Sequence, residues 1–116
     1  MGSARFQFFT RSAASSVEWR LISANNRDLG RCAAPLGDLV SCRLAVDRLR
    51  ETIDAADEIV LQDPSGDWRW LMSWQDQVVA ISSRAHPRRP ECLATLVQFR
   101  RSAGDAPAGL HVRTFR

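Results

Sequence analysis

Arg84, His86, Arg88 and Arg89 stand together immediately before Pro90. Proline suits the first turn of a helix, where its missing N–H is no loss. The basic cluster therefore falls at a predicted helix N-terminus, where unpaired backbone N–H groups and the helix dipole already favour negative charge. The chemistry this pattern offers is anion binding. The competing reading is a solvated basic loop, and the matching stretch earlier in the chain, residues 33–37, has no basic residue. A second candidate is aromatic. Trp68, Trp70 and Trp74 recur at even spacing with Met72 between them. Such a stripe can stack bases or sugars, or it can be the buried face of a sheet. Trp74 adjoins the predicted hairpin turn Gln75-Asp76-Gln77 and is the candidate for an exposed aromatic surface.

Other chemistries find no support. Cys32, Cys42 and Cys92 form no CxxC pair, and the histidines are His86 and His111, so no zinc spacing exists. Cys42 and Cys92 read as small apolar core residues rather than a redox pair. Nucleophile motifs, paired-carboxylate spacing and glycine-rich phosphate loops are missing. A catalytic role is disfavoured, and neither cofactor nor metal is expected.

The composition is that of an ordinary globular protein: 116 residues, 45% hydrophobic, 25% charged, net charge +3. Every basic side chain is Arg; Lys and Tyr do not occur. That pattern suggests GC-rich codon usage, which weakens any step from basicity to nucleic acid. Acidic residues are spread along the chain and no polybasic tail exists. An odd cysteine count and an N-terminus without an apolar leader fit a reducing cytosol. No apolar run is long enough to span a bilayer, so no membrane partner is expected.

The elements that must position these residues follow from periodicity. Phe6–Thr10, Val17–Ala24, Leu29–Cys32, Glu58–Gln62, Trp68–Trp74, Val78–Ser82 and Leu110–Phe115 read as strands. Asn25-Asn26-Arg27 and Asp63-Pro64-Ser65-Gly66 read as turns, and residues 11–16 as a loop. Asp38 is a helix N-cap. Leu39, Cys42, Val46, Leu49 and Ile53 then make one apolar stripe, with an Arg43–Asp47 pair on the opposite side. Cys92, Leu96, Phe99 and Ala103 make a second stripe after Pro90.

The order of elements occurs twice. Adding 50 takes Leu21 to Leu71, Leu29 to Val79, Cys42 to Cys92, Val46 to Leu96, Leu49 to Phe99 and Arg50 to Arg100. The offset fails by one at the tryptophans, where Trp19-Arg20 matches Trp68-Arg69 at 49. Which tryptophan replaces Trp19 stays open, because a one-residue slip would flip every side chain.

Val17-Glu18-Trp19-Arg20-Leu21, Ser23-Ala24-Asn25-Asn26 and Leu29-Gly30 in the first unit, with Trp68-Arg69-Trp70-Leu71 and Val78-Val79-Ala80 in the second, resemble the YegP-like tandem-repeat domains of unknown function. Asn26 and Asp76 stand where that family favours Gly. The resemblance implies an α+β fold: two tandem β-β-β-α-β units, about 5–57 and 58–116, in one domain. They form one antiparallel sheet with both helices on one face, related by a pseudo-twofold. Glu58–Gln62 would both close the first unit and open the second. No activity is implied. The expected role is a binding or interaction module, meeting a protein partner or a second copy through the open sheet face. The alternative is an Arg-mediated binder of nucleic acid or anionic ligands, using Arg84, Arg88 and Arg89 with Arg100 and Arg101.

Overall fold

The computed structural model describes residues 3–11 and 16–115; the first two residues and most of the expected 11–16 loop lie outside them. The strands are β1 (Arg5–Arg11), β2 (Glu18–Ile22), β3 (Asp28–Arg31), β4 (Asp57–Gln62), β5 (Trp68–Trp74), β6 (Gln77–Ile81) and β7 (Ala108–Phe115). Helices α1 (Leu39–Thr52) and α2 (Arg89–Ala103) follow β3 and β6. All seven strands form one sheet in the order β4-β5-β6-β3-β2-β1-β7.

Two expectations are corrected here. The sheet is mixed, because β7 runs parallel to β1. Chain leaving α2 enters the sheet where β1 begins, Phe6 beside Ala108, so both strands run the same way. Second, β4 pairs with β5 alone and closes nothing in the first unit. The flank of β1 is taken by β7 instead, and the two meanders join through the antiparallel contact of β3 and β6 at Arg31 and Ile81.

Helix α1 starts where expected. The Asp38 carboxylate accepts the Ser41 N–H at 2.7 Å, which satisfies one of the unpaired donors of the first turn and lowers the Asp38 pKa. Helix α2 has Arg88 at the cap position and Pro90 behind it, with no side-chain cap. The predicted stripes are buried at Cys42, Val46 and Leu49 on α1, at Ile53 on its C-cap, and at Cys92, Leu96, Phe99 and Ala103 on α2, with Leu39 partly buried. They cover the sheet face carrying Phe6, Phe8, Trp19, Leu21, Trp70 and Met72. Leu49→Ala, which empties a site 1% exposed, is expected to lose about 2–5 kcal/mol in urea unfolding. An unshifted midpoint would place that stripe outside the core.

Each helix is also tied to the chain that follows the other. The Arg50 guanidinium donates to the Ala106 carbonyl, and Arg100 donates to the Ala56 carbonyl at 2.6 Å. These carbonyls lie past helix ends, where acceptors lack intrahelical partners. The expected Arg43–Asp47 pair does not form. Asp47 takes Arg50 at 3.3 Å, while Arg43 reaches the Gly109 carbonyl at 3.2 Å and lies over the Phe8 ring.

The one-residue mismatch between the two tryptophan stretches is met in the hairpins. Cys32 N–H donates to the Trp19 carbonyl, and Ser82 N–H to the Trp70 carbonyl. Trp70 is therefore the counterpart of Trp19, at an offset of 51 rather than 49, while Ser82 keeps the offset of 50 from Cys32. The first hairpin turns through Ala24-Asn25-Asn26: Asn26 has φ 65° and Ser23 N–H donates to Arg27 O at 2.8 Å. The second turns through Gln75 and Asp76 alone, both at positive φ, between the paired Trp74 and Gln77. Two- and three-residue hairpin loops of these types are the common solutions, and the extra loop residue absorbs the shift.

Candidate functional site

A cavity of about 530 Å³ opens where the seam between β3 and β6 meets α2. Its lining includes Arg27 and Asp28 at the start of β3, Ser83, Arg84 and His86 after β6, and Thr95 on α2. The strand-to-helix connection is fixed by backbone bonds: Trp68 and His86 exchange N–H···O contacts at 2.6 and 2.8 Å. That bridge holds His86 against the sheet and leaves Arg84 on the exposed side of the bend.

The floor is a chain of polar contacts. Trp70 Nε1–H donates to Thr95 Oγ1 at 3.1 Å, and Thr95 donates its own proton to the Cys92 carbonyl at 2.8 Å. Thr95 Oγ1 also lies 3.4 Å from His86 Nε2. Having spent its proton, the threonine can only accept, so this contact requires the His86 proton on Nε2. Burial, and then the Arg84 charge, push the His86 pKa below its ordinary 6.5.

The charges are arranged unevenly. Asp28 accepts from Ser83 and pairs with Arg20 at 3.7 Å. Glu91 takes the Arg88 guanidinium, Nε to Oε1 at 3.0 Å. Both carboxylates on the lining are thus already engaged. Neither Arg27 nor Arg84 makes a side-chain hydrogen bond or ion pair with any described residue. The cavity therefore presents two uncommitted guanidiniums beside an uncapped helix start.

Of the four residues expected to act together, Arg84 and His86 line this cavity. Arg88 is held by Glu91, and Arg89 lies over the Trp68 ring at 5.9 Å. Arg100 is bonded to Ala56 O and Glu58, so it braces the fold. Arg27, Asp28, Ser83 and Thr95 escaped the sequence because they come from three separate elements. Trp74 is half-buried and packs against the core. Trp70 is fully buried, and the tryptophan stripe faces the helices.

A second cavity, about 440 Å³, occupies the matching place beside α1. Where the first has Ser83, Arg84, His86 and Thr95, the second has Ala33, Ala34, Leu36 and Ala45. Where the first has Arg27 and Asp28, the second has Gln77 and Val78. The second cavity keeps Ser41, Arg48 and Gln77 as polar lining but lacks the His86 ring and the paired arginines of the first. Among the described residues no cluster of three metal-capable side chains occurs, and no helix is long and apolar enough to cross a membrane.

The meanders, seam and helix layer define a YegP-like α+β fold. The solution structure of the yegP protein of E. coli, a protein of unknown function, superposes with a TM-score of 0.76 over 98% of this chain and 94% of that one, at 9% identity. A UPF0339 protein from Shewanella oneidensis gives 0.75 over 97% and 91%, at 6% identity. At such identities the likeness is one of fold. No protein-family profile matches the sequence, and no curated protein matches it significantly.

Proposed function

We propose that the protein is a non-enzymatic binding module, built from two copies of one βββα unit within a single domain, and that its ligand is a small anion held in the first cavity. The observation that carries this is the pair of uncommitted guanidiniums, Arg27 and Arg84, facing a cavity whose two carboxylates are already neutralised. Arginine forks bind carboxylate and phosphate through paired charge-assisted bonds. Ser83, Thr95 and His86 supply neutral polar contacts around them. The second cavity holds one guanidinium, Arg48, against the two of the first, which supports a role centred on the first. A compact anion is favoured over a nucleic-acid strand because Arg88 and Arg100 are engaged within the fold rather than aligned in a stripe. The three cysteines are buried and free, with Cys42 pushed up to about 12 by burial, which suits a reducing cytoplasm.

Titration with inorganic phosphate, followed by NMR shifts, tests this. Shifts are expected at Ser83, Arg84 and His86, with affinity falling about tenfold or more in Arg84→Ala and in Arg27→Ala. Binding should tighten as pH falls through the lowered His86 pKa, since the protonated ring adds a third positive charge. Unshifted resonances at high millimolar phosphate, or undiminished affinity in both variants, would defeat the proposal. Binding to duplex DNA that weakens steeply with salt would favour the nucleic-acid reading instead.

A second reading rests on the open sheet face. Ile59, Leu61, Leu71 and Ile81 lie on the side away from the helices, with Ile59 and Leu61 exposed. A contiguous apolar face of this kind suits a protein partner.

A further inference from the structure

The sheet has two edge strands, β7 and β4, among the described residues. On one side β1 is covered by β7, with Phe6 N–H donating to the Pro107 carbonyl at 2.8 Å. On the other side β4 has β5 on its inner flank and no described strand beyond it. Edge strands in soluble proteins are usually blunted by prolines, bulges or inward charges. β4 has no proline, and its six-residue register with β5 runs without a shift.

Which backbone groups face outward follows from the hairpin. Asp63 N–H donates to Asp67 O at 2.8 Å, so residues 63 and 67 are a hydrogen-bonded pair. Bonded and non-bonded pairs alternate along an antiparallel ladder. Asp57, Ile59 and Leu61 therefore bond to β5, and Glu58, Val60 and Gln62 direct their N–H and C=O groups out of the sheet. The bonds from Trp70 to Ser82 point away from β4 and agree with this phase.

We propose that this edge pairs with the β4 of a second copy, antiparallel about a twofold at Val60. This register uses every outward group of both strands: Glu58 bonds Gln62, and Val60 bonds Val60, across the axis. Side chains match as well. Ile59 meets Leu61 of the other copy on the open face, in the close non-bonded position where cross-strand apolar contacts are strongest. Glu58 meets a neutral glutamine amide. The apolar face of Leu71 and Ile81 continues across the new seam. One unfavourable contact is built in: Asp57 of each strand faces Asp63 of the other at the ends, although Asp63 is partly neutralised by Arg69 at 3.5 Å. The self-complementary register favours a copy of this chain over an unrelated peptide. It makes the pairing modest in strength and firmer as salt screens the ends.

Sedimentation velocity over a concentration series tests this on the full chain. Wild type is expected to shift from monomer to dimer, more readily at higher salt, with the Val60 amide gaining exchange protection as dimer forms. Val60→Pro removes an outward N–H without touching the bonds to β5 and is expected to weaken the dimer at least about tenfold. Asp57→Asn relieves two like-charge contacts and is expected to tighten it roughly twofold to thirtyfold. Should the proline variant lose its far-UV signal, Ile59→Lys on the exposed face replaces it. A monomer at all concentrations overturns the proposal, as does a dimer indifferent to both edge variants or one whose Val60 amide exchanges at the monomer rate. Protection of Val60 only upon adding a synthetic Ala108–Phe115 peptide would assign the edge to a parallel peptide strand and equally overturn it.

Discussion

Phe99→Ala is expected to lose about 3–5 kcal/mol of folding stability, the upper range for truncating a buried aromatic. The residue belongs to α2, yet its ring touches strands of both meanders. It lies stacked on Trp19 of β2 with centroids 6.3 Å apart, and tilted on Trp70 of β5 at 4.9 Å. Its exposure is 0%. Removing it withdraws apolar area from the core and leaves a void bounded by two indoles and the β3 backbone. Rigid rings cannot collapse far into such a space, and the cost of a cavity grows with the volume that stays open. Urea unfolding by tryptophan fluorescence reads the effect, as a lower midpoint at unchanged slope. The same variant should weaken the polar cavity, because Trp70 then loses the packing that aims its Nε1–H at Thr95. A loss below about 1 kcal/mol would mean that the two meanders do not lean on this ring.

Gly30→Val is expected to lose about 3 kcal/mol or more by the opposite mechanism, overpacking. A Cβ on Gly30 would lie 2.6 Å from Phe99 Cδ2, 2.7 Å from Cε2 and 2.8 Å from Trp70 Cη2. All three atoms belong to stiff, fully buried rings. The strand paired with Leu21 is held in place by its ladder, so the rings must move, and they are already in contact with one another. Glycine is used here for close approach, not for a left-handed turn. Because Gly30 and Phe99 share one volume, their effects should not add. Phe99→Leu placed on the Gly30→Ala background is expected to cost less than the sum of the two single changes. Strict additivity in that cycle would separate the two sites.

Much of the fold was legible in the sequence. Period-two runs gave all seven strands, and the steps of three and four gave both helices with the stripes that are buried. Asp38 marked one helix start to the residue. Local rules succeed there because cap, turn and stripe depend on neighbours within a few residues. The candidate site was half legible. Arg84 and His86 announced themselves as a cluster before a proline, but so did Arg88 and Arg89, and sequence cannot say which guanidinium finds a carboxylate or ring nearby. Arg27 and Thr95 carried no signal at all, since their neighbours in space are remote in sequence.

By itself, then, the sequence determined the list of elements, their order along the chain and which face of each helix is apolar. Only the tertiary structure decided that Trp70 sits in its hairpin as Trp19 does in its own, that β7 flanks β1 in parallel so that β4 and β7 become the edges, and that Arg27 and Arg84 share a cavity. The physical reason is common to all three. Each depends on which strands become neighbours and in which register, and hydrogen-bond registers across a sheet are fixed by long-range packing under the helices rather than by local residue preference.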